Sequence, residues 1–469
     1  MSESKTYIQK LFSGNNIIVA NNKNQAFEIF VANEENINAV KQIQALQNNI
    51  MSNWKLIARI KDITEQPIKI PNGTVGKNYE TKIDFLQLGW DDIIFSEFEN
   101  LEQYGLSYNN ETEILSGNPT QSGDFKINLK FRVQGENDNT ELHIKPISLV
   151  MNADPKSLWK ELPSNKEDVY WKEDNAKDFQ PLGDKHIVVA SKRGRSHSNV
   201  GSFRDDDYSF KHFEKTGWSV VCVADGAGSA KLSRQGSKIA CEEVINYFTE
   251  NLNQESLVEF DILIKNYQEA NNEETQKGLN VFLYNNLGKA ALSVHKKIQE
   301  FANTIETPIK DFHSTLIFAL IKKYEFGYAI LTFGVGDCPI GLLNKDLSEI
   351  KLMNWLDVGE FGGGTRFITM PEIFSSDKFS TRFGFKLIEE FSYLMLMTDG
   401  IYDPKFVVEA NLEKVEKWQE FIADLQGNND NKDIVVLDKS NTEIANQLST
   451  WMDFWSAGNH DDRTLAIIF

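Results

Sequence analysis

The stretch Val221-Cys-Val-Ala-Asp-Gly-Ala-Gly-Ser-Ala-Lys-Leu-Ser-Arg-Gln-Gly-Ser237 changes character at Asp225. An apolar run that reads as a buried strand ends there, a turn of small residues follows, and a helical pattern begins at once. An acid at the end of such a strand, beside a glycine whose carbonyl is unobstructed, suits a hard divalent cation that takes oxygen ligands. Taken alone the turn says little, because a strand-end Asp-Gly is usually only a turn. The same design returns at Tyr393-Leu-Met-Leu-Met-Thr-Asp399-Gly400 and around Asn459-His-Asp461-Asp462-Arg-Thr-Leu-Ala-Ile-Ile-Phe469.

Working outward, residues 186–469 alternate strand and helix patterns. Strand-like runs are His186–Ala190, Trp218–Ala224, Leu316–Ile321, Tyr328–Val335, Tyr393–Met397 and Leu465–Phe469. Helical spacing links Ala240, Val244, Ile245, Phe248 and Leu252, and a longer stretch from Leu279 to Phe301. Strands that are apolar on both faces need cover on both sides, so the sheets should be enclosed by helices in an α+β fold.

Upstream, residues 63–140 read as all-β. Phe125, Ile127, Leu129, Phe131 and Val133 alternate with polar residues, the pattern of a half-buried strand. Turn signals precede it at Pro71-Asn-Gly73, Ser116-Gly-Asn-Pro119 and Gln121-Ser-Gly123. Residues 1–62 give mixed signals, with helical spacing only in Ile37, Val40, Ile43, Leu46 and Ile50. Residues 141–185 are charged and carry Trp159 and Trp171, which predicts an ordered connector packed on one neighbour rather than a flexible linker.

The chain has 469 residues, more than one core sustains, and a net charge of -19. That charge opposes general nucleic-acid binding, since phosphate backbones would be repelled. The opening residues lack the apolar segment of a signal peptide and no apolar run reaches the length of a membrane span, so a cytoplasmic protein with no membrane or nucleic-acid partner is expected. Cys222, Cys241 and Cys338 have no metal-type spacing and are expected to be buried, reduced thiols.

The acids then need a joint explanation: Asp225, Asp399 and Asp461, with Asp205 and Asp337 as candidates. Carboxylates crowded at one sheet edge raise each other's pKa unless cations neutralise them. Mg²⁺ or Mn²⁺ would do so with octahedral oxygen coordination. Two such ions about 4 Å apart can share a water, lower its pKa and stabilise in-line displacement at phosphorus.

The motifs occur in a familiar order: Asp225 to Ser229, Ser314 to Leu316 in an apolar strand, Gly336-Asp337, Thr398 to Asp403, and Asp461 to Thr464. In this order residues 186–469 resemble the metal-dependent protein phosphatase 2C family of bacterial type. The resemblance implies a C-terminal α-β-β-α sandwich and hydrolysis of phosphoserine and phosphothreonine proteins by metal-activated water. It also implies that Asp225 bridges two Mg²⁺ or Mn²⁺ ions, that the Gly226 carbonyl binds the first, and that Asp399 and Asp461 hold the second. Asp337, alone or with Asp403, would hold a weaker third ion. The segment from Gly194 through Ser196-His197 to Asp205 resembles the bacterial variant in which the later aspartate orients metal-bound water. Gly73 to Tyr79, Tyr104 to Tyr108 and Ile114 to Phe125 resemble bacterial immunoglobulin-like domains, so a small all-β sandwich should precede the phosphatase. The arrangement is similar to phosphatases that work beside a serine/threonine kinase and a von Willebrand A-type protein in stress signalling, which implies such partners.

Three departures matter. Arg204 stands where many members have Glu, Ala227 where many have a proposed general acid His, and Val200 where the usual phosphate-binding Arg falls. Phosphate is therefore assigned to Arg204, or to Arg193 and Arg195, and leaving-group protonation to His197. The bland alternatives are a solvated Arg204 and a structural His197. A catalytically weak, phosphoprotein-binding scaffold is the rival function. Gly359-Glu-Phe-Gly-Gly-Gly-Thr365 lacks the Lys-Ser/Thr of a nucleotide loop and reads as a flap, and His313 as a strand cap.

Overall fold

The computed structural model describes residues 3–251, 254–357 and 364–469. All but the last two residues of the expected flap at 359–365 lie outside the described residues. The chain folds as two compact units, Met1–Leu158 and Trp159–Phe469.

The first unit opens with helices Glu3–Gly14, Asn24–Ala32 and Glu34–Glu65. The side chain of Asn33 starts the long helix by accepting from the backbone N–H of Glu35 and Asn36. Near its start Val40 packs with Ile8 and Val31, and near its end Ile63 enters the β core. Two sheets follow. One has the order Gly73–Thr74, His143–Asn152, Gly123–Val133, Ile93–Phe98, and the other Tyr79–Lys82, Ile114–Gly117, Leu106–Asn109. Ile127, Leu129 and Phe131 alternate inward and share one core with Leu115 and Tyr79 of the smaller sheet, making a small β domain. His143–Asn152 belongs to this domain, so the unit continues past residue 140.

The second unit is an α-β-β-α sandwich. Its first sheet runs Asp207–Phe213, Trp218–Ala224, Leu316–Tyr324, Gly327–Val335, Phe383–Ile388, all antiparallel. The second runs Ile350–Leu352, Ile340–Asn344, Phe391–Met397, Arg463–Ile468, Lys185–Lys192, Asn175–Leu182. Alternation splits each strand between two cores. Val221, Val223 and Ile317 meet Val189, Leu394 and Ala466 between the sheets. Val220 and Cys222 face outward onto Val244 and Phe248 of helix Ser233–Asn251. Met395 and Leu465 face the opposite helical layer at Trp418 and Leu448.

The expected connector does not simply span to this sandwich. Asn175–Leu182 is an edge strand of its second sheet, the Trp159 ring sits 4.4 Å from that of His460, and Trp171 donates to Ser164. All three cysteines are buried and unpaired.

Candidate metal centre

Antiparallel pairing brings the carboxylates together. The C-terminal ends of Trp218–Ala224 and Gly327–Val335 lie beside the N-terminal end of Leu316–Tyr324, and the end of Phe391–Met397 lies beside the start of Arg463–Ile468. Asp225, Asp337, Asp399 and Asp461 therefore emerge at matching ends of the two sheets. Ligand atoms of Asp225, Asp337 and Cys338 lie within 4.8 Å of one another. Cys338 is fully buried and its thiol is held neutral by burial and by the charges of Asp225 and Asp337, leaving the carboxylates as donors.

The turn after the first strand is built around its glycine. Asp225 and Thr315 exchange bonds: the Asp225 N–H donates to Thr315 Oγ1 at 2.9 Å, and the Thr315 N–H to the Asp225 carbonyl at 2.8 Å. The Ala227 N–H donates to His313 O at 3.0 Å. None of these uses the Gly226 carbonyl. A Cβ on Gly226 would lie 2.6 Å from the Asp205 carbonyl, so only glycine lets the two loops approach. Gly400 is tighter still: its Cβ would lie 1.9 Å from the carbonyl of Asp462.

Charge crowding follows from this geometry. Burial pushes Asp225 and Asp399 well above the usual carboxylate range; the charges of Asp461, Asp337 and Asp206 add to it for both, and that of Asp399 adds to it for Asp225. Asp337, Asp403 and Asp461 are raised too, mainly by burial. Asp403 acts on Asp337 by charge, and the Thr365 hydroxyl donates to Asp337 Oδ2 at 2.7 Å. An all-oxygen set of mutually repelling carboxylates fits hard divalent cations, whose charge would remove the repulsion.

One acid was missed from the sequence. Asp206 is 0 % exposed, and its Oδ2 accepts from the hydroxyls of Thr398 at 2.8 Å and Thr464 at 2.7 Å. It thereby ties the strand ends carrying Asp399 and Asp461 to the first sheet. Its Oδ1 is buried without a hydrogen-bond partner, and burial with the charges of Asp462 and Asp461 lifts its pKa to about 7. Strand parity was the available signal: Asp206 shares a face with Tyr208 and Phe210, which pack between the sheets.

His197 and Asp205 form a second cluster, with Asp462 rather than with the metal acids. His197 Nδ1 lies 3.0 Å from Asp462 Oδ1, and its Nε2 lies 3.7 Å from Asp205 Oδ2. Asp462 also accepts the N–H of Gly194 and of Asp205. Burial alone would lower the imidazole pKa, but the Asp462 hydrogen bond and the charges of Asp462, Asp205 and Asp461 raise it to about 9. Asp205 is raised to about 6 by burial and the Asp462 charge, and Asp462 is held low by its donors. Ligand atoms of His197, Asp205 and Asp462 also lie within 4.8 Å of one another, but the hydrogen bonds that engage Asp462 and the raised His197 pKa favour an ion pair over a metal there.

The arginine assignments need correction. Arg204 is only 3 % exposed, and its guanidinium donates to the carbonyls of Glu173 and Asp206 and to Ser191 Oγ. Arg193 is spent on the carbonyls of Ser202 and Leu162 and on Asp174. Arg195 donates to the Asp453 carbonyl beside the Trp455 ring. Arg204 and Arg193 brace loops through these bonds, while Arg195 keeps an Nε without a partner among the described residues. Arg366, next to Thr365, is more available: it is half exposed, and its one ion-pair partner among the described residues, Glu372, is 4.0 Å away. His313 bonds Thr369 and stacks on Phe367.

A profile of the family described as protein phosphatase 2C matches residues 193–453. No curated protein sequence matches the chain. Among solved structures, the serine/threonine phosphatase Stp1 from Staphylococcus aureus is 14% identical, covering 62% of this chain and 98% of its own at a TM-score of 0.35. The catalytic domain of the serine/threonine protein phosphatase PstP, in complex with two manganese ions, is 13% identical over 60% of this chain and 96% of its own, with a TM-score of 0.36. RsbX in complex with magnesium is 14% identical over 62% and 98%, at 0.33. Likenesses this distant leave activity and substrate to be argued from the residues.

Proposed function

This chain belongs to the protein phosphatase 2C family, and we propose that it hydrolyses phosphoserine and phosphothreonine monoesters in proteins with two Mg²⁺ or Mn²⁺ ions. The observation that carries the proposal is the convergence of Asp225, Asp337, Asp399 and Asp461 into one cluster whose pKa values are all raised. Asp225 would bridge the ions, the Gly226 carbonyl would serve one, and Asp399 with Asp461 the other. Asp337 and Asp403 are the set for a weaker third. Bound there, the cations would supply Lewis-acid chemistry, polarising the phosphoryl oxygens and acidifying a nucleophilic water.

The chain's own groups do the rest. His197, protonated at neutral pH and with Nε2 beyond hydrogen-bond distance of Asp205, is the donor for the leaving serine or threonine oxygen. Asp462 holds its ring. Asp205, accepting where Asp462 leaves it free, orients the attacking water. Arg366 takes the phosphate role first given to Arg204.

The β domain is proposed to be immunoglobulin-like and to serve docking, with a cognate kinase and a von Willebrand A-type protein as partners in bacterial signalling. A cytoplasmic setting accords with three unpaired thiols. Among the described residues no helix is long and apolar enough to cross a membrane. Mn²⁺-dependent phosphate release from a phosphothreonine peptide tests the proposed activity.

A further inference from the structure

The helix Glu34–Glu65 carries an apolar seam that its own unit leaves open. Ile43, Leu46, Ile50, Asn53, Ile57 and Ile60 follow spacings of three and four in strict alternation, the heptad rule of a coiled coil. Only the last of them joins the β core. Leu46 is 63% exposed, Ile50 70% and Ile57 60%, although Val40 and Ile63 on other faces are buried. The helix thus packs at both ends, and its own unit leaves the seam uncovered between them.

We propose that this seam pairs with the same seam of a second copy, as a parallel, in-register two-stranded coiled coil. Three features select that occupant. The a positions are all β-branched (Ile43, Ile50, Ile57), and of the apolar d positions Leu46 and Ile60 the one outside the β core is Leu46, the combination that favours two parallel strands. Asn53 is the one polar residue in the seam. In register this d-position amide would face the Asn53 of its copy, where the two can bond each other, whereas an antiparallel or slipped partner would oppose it with an aliphatic side chain and leave it unbonded. Finally, no charged residue stands between Lys41 and Lys55, in a chain of net charge -19. The flanking Gln42, Gln47 and Asn49 are neutral, so two copies meet here without desolvating or opposing any charge. A charged partner would find nothing to pair with.

The test uses the full chain. Light scattering across a concentration series should show a monomer–dimer equilibrium, and Ile50→Glu, at an exposed site, should raise the dissociation constant about a hundredfold or more with helical content unchanged. Single replacements Ile43→Cys and Ile57→Cys should each form a disulfide between copies under mild oxidation, because only a parallel register sets both positions against themselves. The native cysteines are buried and give little background. A monomer at every concentration, or a dimer indifferent to Ile50→Glu, would overturn the proposal. So would cross-linking at only one of the two positions.

Discussion

Asp225 and Asp399 crowd one another closely enough that the charge of Asp399 helps to raise the Asp225 pKa, although one leaves the first sheet of the sandwich and the other leaves the second. Buried carboxylates crowded in this way favour their protonated forms unless a cation neutralises them. The centre is therefore poised between protons and metal, and most of its testable behaviour follows from that competition.

Removing one of the repelling charges should stabilise the metal-free protein. Asp399→Asn is expected to raise its melting temperature while abolishing the rise that Mn²⁺ gives the wild type. For that wild type, Mn²⁺ at about a hundred times its Kd adds roughly 2.7 kcal/mol, several degrees by calorimetry. If Mn²⁺ stabilises Asp399→Asn as strongly as wild type, the residue is not a ligand.

The pH dependence has a definite sign. Asp205 is raised to about 6, Asp206 to about 7, and Asp225 and Asp399 well above the usual range. For groups raised on folding, the stabilising contribution is complete below the unfolded value of about 4 and is lost as pH rises through the folded values. Asp462 runs the other way but is outnumbered. Without metal the melting temperature should fall between about pH 5 and pH 8, and saturating Mn²⁺ should remove most of that fall. Calorimetric titrations in buffers of different ionisation enthalpy should show protons released as the metal binds. No proton release would contradict the crowding argument.

His197 can be tested through the leaving group. A general acid matters most when the departing oxygen is a poor leaving group. His197→Gln should therefore cost about 100-fold or more in kcat on a phosphothreonine peptide and far less on an aryl phosphate. Equal losses on both would leave His197 with only its structural partnership with Asp462.

The two arginines should separate cleanly. Arg204→Ala removes the hydrogen bonds to Ser191 and to the carbonyls of Glu173 and Asp206, so it should lower stability by about 1–3 kcal/mol with the phosphopeptide KM little changed. Arg366→Ala should raise KM at unchanged melting temperature. The reverse pattern would restore Arg204 to phosphate binding.

Some of this was legible in the sequence and some was not, for physical reasons. Trp218–Ala224 was legible because it is apolar on both faces, and its terminal Asp-Gly marked the sheet edge where the carboxylates gather. The strands Asp207–Phe213, Asn175–Leu182 and Phe383–Ile388 went unread because edge strands alternate with charged residues and look like loops. Asp206 was hidden in a run of three aspartates, where composition does not tell which one points between the sheets. Arg204 was misassigned because a buried arginine bonded to carbonyls has the same sequence signature as one free to grip phosphate. The helix Glu34–Glu65 showed only part of its length, because the apolar spacing that runs from Ile37 to Ile50 is interrupted by Asn53.

The most direct measurement is the rate of phosphate release from a phosphothreonine peptide at saturating Mn²⁺, comparing wild type with Asp225→Ala. The bridging role assigned to Asp225 predicts Mn²⁺-dependent turnover by the wild type and a loss of several orders of magnitude in the variant. Wild type no faster than Asp225→Ala would contradict the account at its centre.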